Sequence, residues 1–134
     1  MNQEEAGDSF KGKGKLFYDT YALYEIAKGS EVYKEYAQGY EIITTKMNLY
    51  ELYYTLLKES NKELAERFFN ELNGDCADIK DEDIKLAAKF RFKEIKKGLS
   101  YIDCLGYVVA KSLGVKFLTG DKEFKGMENV EFVK

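Results

Sequence analysis

Apolar residues in this chain alternate between short runs and stretches at helical spacing, with polar or Gly-containing breaks between them. The run Lys15-Leu16-Phe17-Tyr18-Asp19 predicts a strand ending in a carboxylate, and Thr20 then opens a helix carrying Leu23, Ile26 and Ala27. Gly29 stands where a left-handed residue ends such a helix. Ser30 starts a second, short helix with Val32, Tyr33 and Tyr36, ended by Gly39. Tyr40–Thr44 predicts a strand, and Thr45 to about Lys58 a helix with Leu49, Leu52, Tyr53 and Leu56 inward. Ser60 with Glu63 has the form of a capping box for a helix bearing Leu64, Phe68 and Leu72, stopped by Gly74. Cys76–Ile79 predicts a weak strand. Asp81 is placed to cap a helix with Ile84, Ala87, Ala88, Arg91 and Ile95, ended by Gly98. Ser100 opens the clearest helix, with Ile102, Leu105, Val109 and Leu113 in its stripe and Gly114 behind it. Val115–Thr119 and Val130–Val133 predict strands on either side of a turn or short helix over Gly120–Gly126.

Strands alternating with helices predict an α/β fold. The expected architecture is three α/β/α layers, with about five mainly parallel strands flanked by helices on both faces. The expected organisation is a flexible polar tail over residues 1–14 and one domain over 15–134. The tail has no apolar core of the secretory-signal kind. No apolar run approaches membrane-span length, so no membrane partner is expected, and two cysteines without metal-ligand spacing predict a reducing cytoplasm.

The net charge of −3 argues against coating nucleic acid by bulk electrostatics, but leaves room for a local basic rim. Cys76 and Cys104 lack metal-ligand spacing and read as packed, reduced thiols. The chain has no His. That removes Ser-His-Asp and Cys-His nucleophilic sites, HExxH zinc enzymes and Cys/His zinc fingers. No Gly-rich phosphate loop follows a strand either. Carboxylates are the reagents left.

Four acids stand in telling positions, and each has an ordinary structural reading beside the functional one. Asp19 follows a strand directly, at the sheet edge where α/β folds bind ligands, yet Asp is also a favoured helix N-cap. Glu51 sits mid-helix between apolar neighbours, where a charge needs a partner or a route to water. Asp103 completes an S-x-x-D capping pattern with Ser100. Asp121 follows Thr119-Gly120 at a strand end, where a turn Asp is unremarkable. Gathered together, the four suit a hard divalent cation.

The order strand-end Asp, helical Glu, helix-start Asp, strand-end Asp resembles the PIN-domain nucleases, specifically the small VapC-like toxins of prokaryotic toxin–antitoxin pairs. The matching segments are Phe17-Tyr18-Asp19-Thr20-Tyr21-Ala22-Leu23, Asn48-Leu49-Tyr50-Glu51-Leu52, Leu99-Ser100-Tyr101-Ile102-Asp103-Cys104-Leu105 and Phe117-Leu118-Thr119-Gly120-Asp121-Lys122-Glu123-Phe124. The last two are the most specific. The resemblance implies that Asp19, Glu51, Asp103 and Asp121 are the acidic catalytic and metal-binding quartet. Thr20 and Thr119 match supporting hydroxyl positions. It also implies an Mg²⁺- or Mn²⁺-dependent endoribonuclease, an RNA substrate, a cognate antitoxin and a homodimer. Glu123 stands where many relatives have a second Asp, and Cys104 where a small residue is commoner.

Two other readings compete with the toxin nuclease. One is a catalytically inactive PIN fold that binds RNA or protein. The other is a phosphoryl receiver or Asp-nucleophile phosphatase, but Asp19-Thr20-Tyr21 lacks the paired acids either would need. Lys15 and Lys122 are weighed as phosphate contacts, with a solvated lysine favoured at both. The aromatic residues read mostly as core and interface and not as base-stacking platforms, with Tyr33, Tyr36 and Tyr40 as a possible partner groove.

Overall fold

The structure, a computed structural model, describes residues 12–134, so the first eleven positions of the expected tail lie outside the described residues. The strands are β1 (Lys15–Tyr18), β2 (Glu41–Ile43), β3 (Lys116–Thr119) and β4 (Val130–Phe132). The α-helices are α1 (Thr20–Ala27), α2 (Lys46–Glu59), α3 (Lys62–Leu72), α4 (Asp81–Lys93) and α5 (Tyr101–Leu113). The strands form one four-stranded sheet in the order β2-β1-β3-β4, with every neighbouring pair parallel.

Period-two alternation along the strands divides the core into two halves. Leu16, Tyr18 and Leu118 enter one cluster with Leu23 of α1, Leu49, Leu52 and Leu56 of α2, and Ala65 and Leu72 of α3. Phe17 and Phe117 enter the other, with Ala87 of α4 and Cys104, Tyr107 and Val109 of α5. The Phe17 and Phe117 rings stack at 5.7 Å across the β1–β3 pair. Gly106 of α5 lies against them: a methyl group there would stand 3.0 Å from Phe17 and 3.2 Å from Phe117. Each of these buried large side chains contributes about 1.5–3 kcal/mol relative to exposure.

Several elements differ from the sequence expectation. The sheet has four strands and not five, because Cys76–Ile79 contributes a single bridge from Cys76 to Thr44 before the chain turns away toward α4. The short second helix is a 3₁₀ segment, Glu31–Tyr36. Ser60 does not cap α3. Its N–H closes α2 on Leu56 O at 2.9 Å, which leaves Asn61 Oδ1 to accept the Leu64 N–H at 2.8 Å. At α4 the capping acid is Asp83, whose Oδ2 accepts the Lys80 N–H at 3.0 Å, and Asp81 is the first helical residue. The expected stripes on α4 and α5 are also shifted, since Ile84 and Leu113 are exposed, and Ile95 is exposed in a 3₁₀ turn beyond the end of α4. Tyr33 and Tyr36 are core residues and not a partner groove. The Tyr18 hydroxyl donates to Tyr36 O at 2.7 Å, the Tyr36 hydroxyl to Glu131 Oε2 at 2.6 Å, and the Tyr33 hydroxyl to Val133 O.

Cys76 and Cys104 are free thiols. Among the described residues, no helix is long and apolar enough to cross a membrane.

Candidate functional site

Because β1 and β3 are parallel neighbours, the residues that follow them emerge side by side at one edge of the sheet. Asp19 follows β1 and caps α1, its Oδ1 accepting the Ala22 N–H at 2.9 Å. Its own N–H donates to Leu118 O at 3.2 Å, locking it against β3. Asp121 lies just past the end of β3, with Oδ1 accepting the Glu123 N–H at 3.0 Å. Asp103 sits in the first turn of α5. Its Oδ2 accepts the Ser100 N–H at 2.9 Å while Ser100 Oγ accepts the Asp103 N–H at 3.0 Å. All three aspartates are therefore helix or turn caps, each accepting a backbone N–H through one carboxylate oxygen.

Glu51, half-buried on α2, joins them. Asp19, Glu51, Asp103 and Asp121 line one cleft of about 250 Å³, whose wall is completed by Thr20, Tyr21, Tyr24 and Thr55. The fold thus brings all four acids singled out in the sequence to one place.

Asp19 is 2% exposed. Burial pushes its carboxyl up to about 8; hydrogen bonds from Thr119 and the Ala22 N–H oppose that shift, and the charges of Asp103 and Asp121 add to it. Asp103 is raised as well, by burial first and by Asp121, against the bonds from Ser100. The cleft therefore holds negative charge only at an energetic cost, and a cation placed there would relieve it.

Two hydroxyls and an amide hold the walls. Thr119 Oγ1 accepts the Asp121 N–H at 3.0 Å, so one side chain serves both strand-end acids. Thr20 Oγ1 accepts Asn48 Nδ2 at 3.1 Å, and the Thr45 hydroxyl donates to Asn48 Oδ1 at 2.6 Å. Thr44 Oγ1 donates to Tyr18 O at 2.9 Å, immediately before Asp19. Asn48 and Thr44 are positioning residues missed in the sequence, although a polar pair flanking the start of α2 was a usable signal. Gly120 is required by close approach: a Cβ there would stand 2.2 Å from Tyr21 Cε1 and 2.6 Å from Val133 O. Lys15 is not near the cleft. It starts β1 at the opposite end of the strand, roughly 13 Å of extended chain from Asp19. Lys122 is exposed beside Asp121.

Among the described residues, no three acidic, Cys or His side chains stand as a ready-made metal cage. A small hard cation that keeps several waters and takes one or two carboxylates needs none. Oxygen-only donors around a buried Asp19 carboxyl that Asp103 and Asp121 repel fit that kind of ion.

The model of the family described as "PIN domain" matches residues 16–130, nearly the whole chain. The chain belongs to the PIN-domain family. This PIN domain is similar in fold to VapC20 of Mycobacterium tuberculosis, described as a sarcin-ricin loop cleaving toxin. The TM-score is 0.75 at 15% identity, covering 89% of this chain and 99% of that one. It is similar also to a chain of a toxin–antitoxin complex from Klebsiella pneumoniae, with TM-score 0.69, 16% identity, and 87% and 95% covered. A third is a chain of VapBC2 from Rickettsia felis bound to a promoter DNA fragment, with TM-score 0.66, 20% identity, and 88% and 96% covered. No curated protein sequence matches this PIN domain.

Proposed function

We propose that this PIN domain is a metal-dependent endoribonuclease, the toxin of a toxin–antitoxin pair. The observation that carries the reading is the convergence of Asp19, Glu51, Asp103 and Asp121 on one cleft at the sheet edge, from positions spread across the chain. The similarity in fold to VapC toxins supports it. Asp19 and Asp121, the two strand-end acids, are assigned direct contact with Mg²⁺ or Mn²⁺, and Glu51 and Asp103 contact with the ion or orientation of water. When bound, the cation supplies charge stabilisation at the scissile phosphate and acidifies water.

The chain's own contribution is placement. The caps at Ala22, Glu123 and Ser100 each hold one oxygen of an aspartate, and Thr119 adds a hydrogen bond to Asp19. Glu51 lines the cleft without an ion pair among the described residues, which supports its assignment to the ion or to a water beside it. Thr20 and Thr119 steady the residues around it.

The partners of this reading are an RNA substrate, a cognate antitoxin and a second copy of the chain. The test is incubation of the protein with a mixed RNA pool, with Mn²⁺ or Mg²⁺ or with chelator, beside Asp19→Asn. Cleavage that needs the metal and is lost in the variant is expected. RNA binding without cleavage would overturn the reading in favour of an inactive binding module.

A further inference from the structure

The Thr119-Gly120-Asp121 turn, which carries one of the two strand-end acids, is gripped from outside by Val133, the residue that follows β4. The Val133 N–H donates to Thr119 O at 2.9 Å. The Val133 carbonyl oxygen stands 2.6 Å from where a Cβ on Gly120 would be, so it lies close against that residue. The same oxygen accepts the hydroxyl of Tyr33, which is 1% exposed and lies 100 positions earlier in the 3₁₀ segment Glu31–Tyr36. The other close neighbour of Gly120 is the ring of Tyr21, and Tyr33 packs on it as well, with ring centres 6.3 Å apart. Tyr33 therefore touches both of the groups that press on Gly120.

β4 has little of its own to hold Val133 in place. It is a three-residue strand at the edge of the sheet, paired only with β3 among the described residues. Two phenols supply further anchors: the Tyr36 hydroxyl ties Glu131 and the Tyr33 hydroxyl ties Val133. What lies behind each anchor differs. Glu131 is level with Leu118, inside the strand pair. Val133 lies past Phe132, which is level with Thr119, and so stands where β3 gives way to the cleft. Thr119 in turn serves both strand-end acids, accepting the Asp121 N–H at 3.0 Å and hydrogen-bonding Asp19.

We propose that Tyr33 is a positioning residue of the acidic cleft. By holding the Val133 carbonyl and the Tyr21 ring against Gly120, it fixes the turn that sets the Asp121 carboxylate. An outer group of this kind orients a metal ligand without touching the ion. The consequence for metal rests on the nuclease reading, while the hold on the turn is open to measurement in the ion-free protein.

The test compares the full chain as Tyr33→Phe, which keeps the ring and removes only the hydroxyl, with Tyr36→Phe, which removes the other phenol anchor of the β4 segment. In chelator, amide hydrogen exchange should quicken at Asp121 in Tyr33→Phe and stay unchanged at Asp103, whose N–H is held by Ser100 on a different element. Tyr36→Phe should leave both amides as in the parent. Mn²⁺ affinity, from calorimetric titration, should fall about tenfold or more in Tyr33→Phe and stay within about twofold in Tyr36→Phe. Unaltered exchange at Asp121 in Tyr33→Phe overturns the proposal. Exchange that quickens equally at Asp121 and Asp103 also overturns it and makes the hydroxyl a contributor to overall stability, as does an equal loss of Mn²⁺ affinity in the two variants. If the parent takes up no Mn²⁺, the metal reading fails, and the exchange comparison still decides for or against Tyr33.

Discussion

Asn48 of α2 donates through Nδ2 to Thr20 Oγ1 at 3.1 Å, tying the helix that carries Glu51 to the residue that follows Asp19. The amide is 1% exposed, and its oxygen accepts the Thr45 hydroxyl. Asn48→Ala would leave the buried Thr45 hydroxyl without its partner, which costs about 1–3 kcal/mol. Urea unfolding of Asn48→Ala is expected to show that loss. Glu51→Gln on the same helix should stay within about 0.5 kcal/mol of the parent.

A buried carboxyl that keeps its proton in the folded state makes stability depend on pH. Asp19 is raised from 3.8 to about 8 by burial, so above the lower value the folded protein binds a proton that the unfolded chain does not. Its stabilising contribution is full below 3.8 and is lost as pH rises through about 8. In chelator, the unfolding free energy should therefore fall between these limits by up to about 1.4 kcal/mol per pH unit. Asp19→Asn should remove this slope and be the more stable protein at the upper limit. Urea midpoints at acid and alkaline pH check it, and equal slopes in parent and variant would contradict it.

At the same alkaline limit, Mn²⁺ should raise the melting temperature of the parent in proportion to its occupancy of the cleft. Asp19→Asn should show a much smaller rise. Thermal scans with increasing Mn²⁺ measure both.

Gly120 admits no side chain without movement of Tyr21 and of the Val133 carbonyl. Gly120→Ala is expected to destabilise the fold by about 1–3 kcal/mol and to displace Asp121. Adding Tyr21→Ala should restore only part of that loss, because a backbone oxygen still stands 2.6 Å from the new methyl group. Full rescue by Tyr21→Ala, read in urea unfolding of the double variant, would contradict this.

The alternation of strand and helix and the strand-end acids were legible in the chain because both are local signals. Leu16-Phe17-Tyr18 and Phe117-Leu118-Thr119 are short apolar runs that could be little else than buried parallel strands. Asp19 and Asp103 posed a choice in the sequence between cap and functional acid. In the folded chain each is a cap and also lines the cleft, because the backbone N–H occupies only one carboxylate oxygen. What escaped was settled by packing between distant segments. Tyr33 and Tyr36 looked like a free surface until the end of the chain, at Glu131 and Val133, came to lie against them. The value of Asn48 depends on Thr20, which sequence spacing alone could not place beside it. The α4 stripe failed because α4 packs on α5 through Ala87, leaving Ile84 in solvent, and ends before Ile95.

Folding gathers four carboxylates into one cleft at the sheet edge, where they would hold a divalent cation. Anomalous diffraction from crystals grown in saturating Mn²⁺ tests it most directly. A peak is expected in the cleft within ligand distance of Asp19 and at least one of Glu51, Asp103 and Asp121, absent in Asp19→Asn. A cleft without Mn²⁺ at saturation, or an ion bound only elsewhere on the molecule, would contradict it.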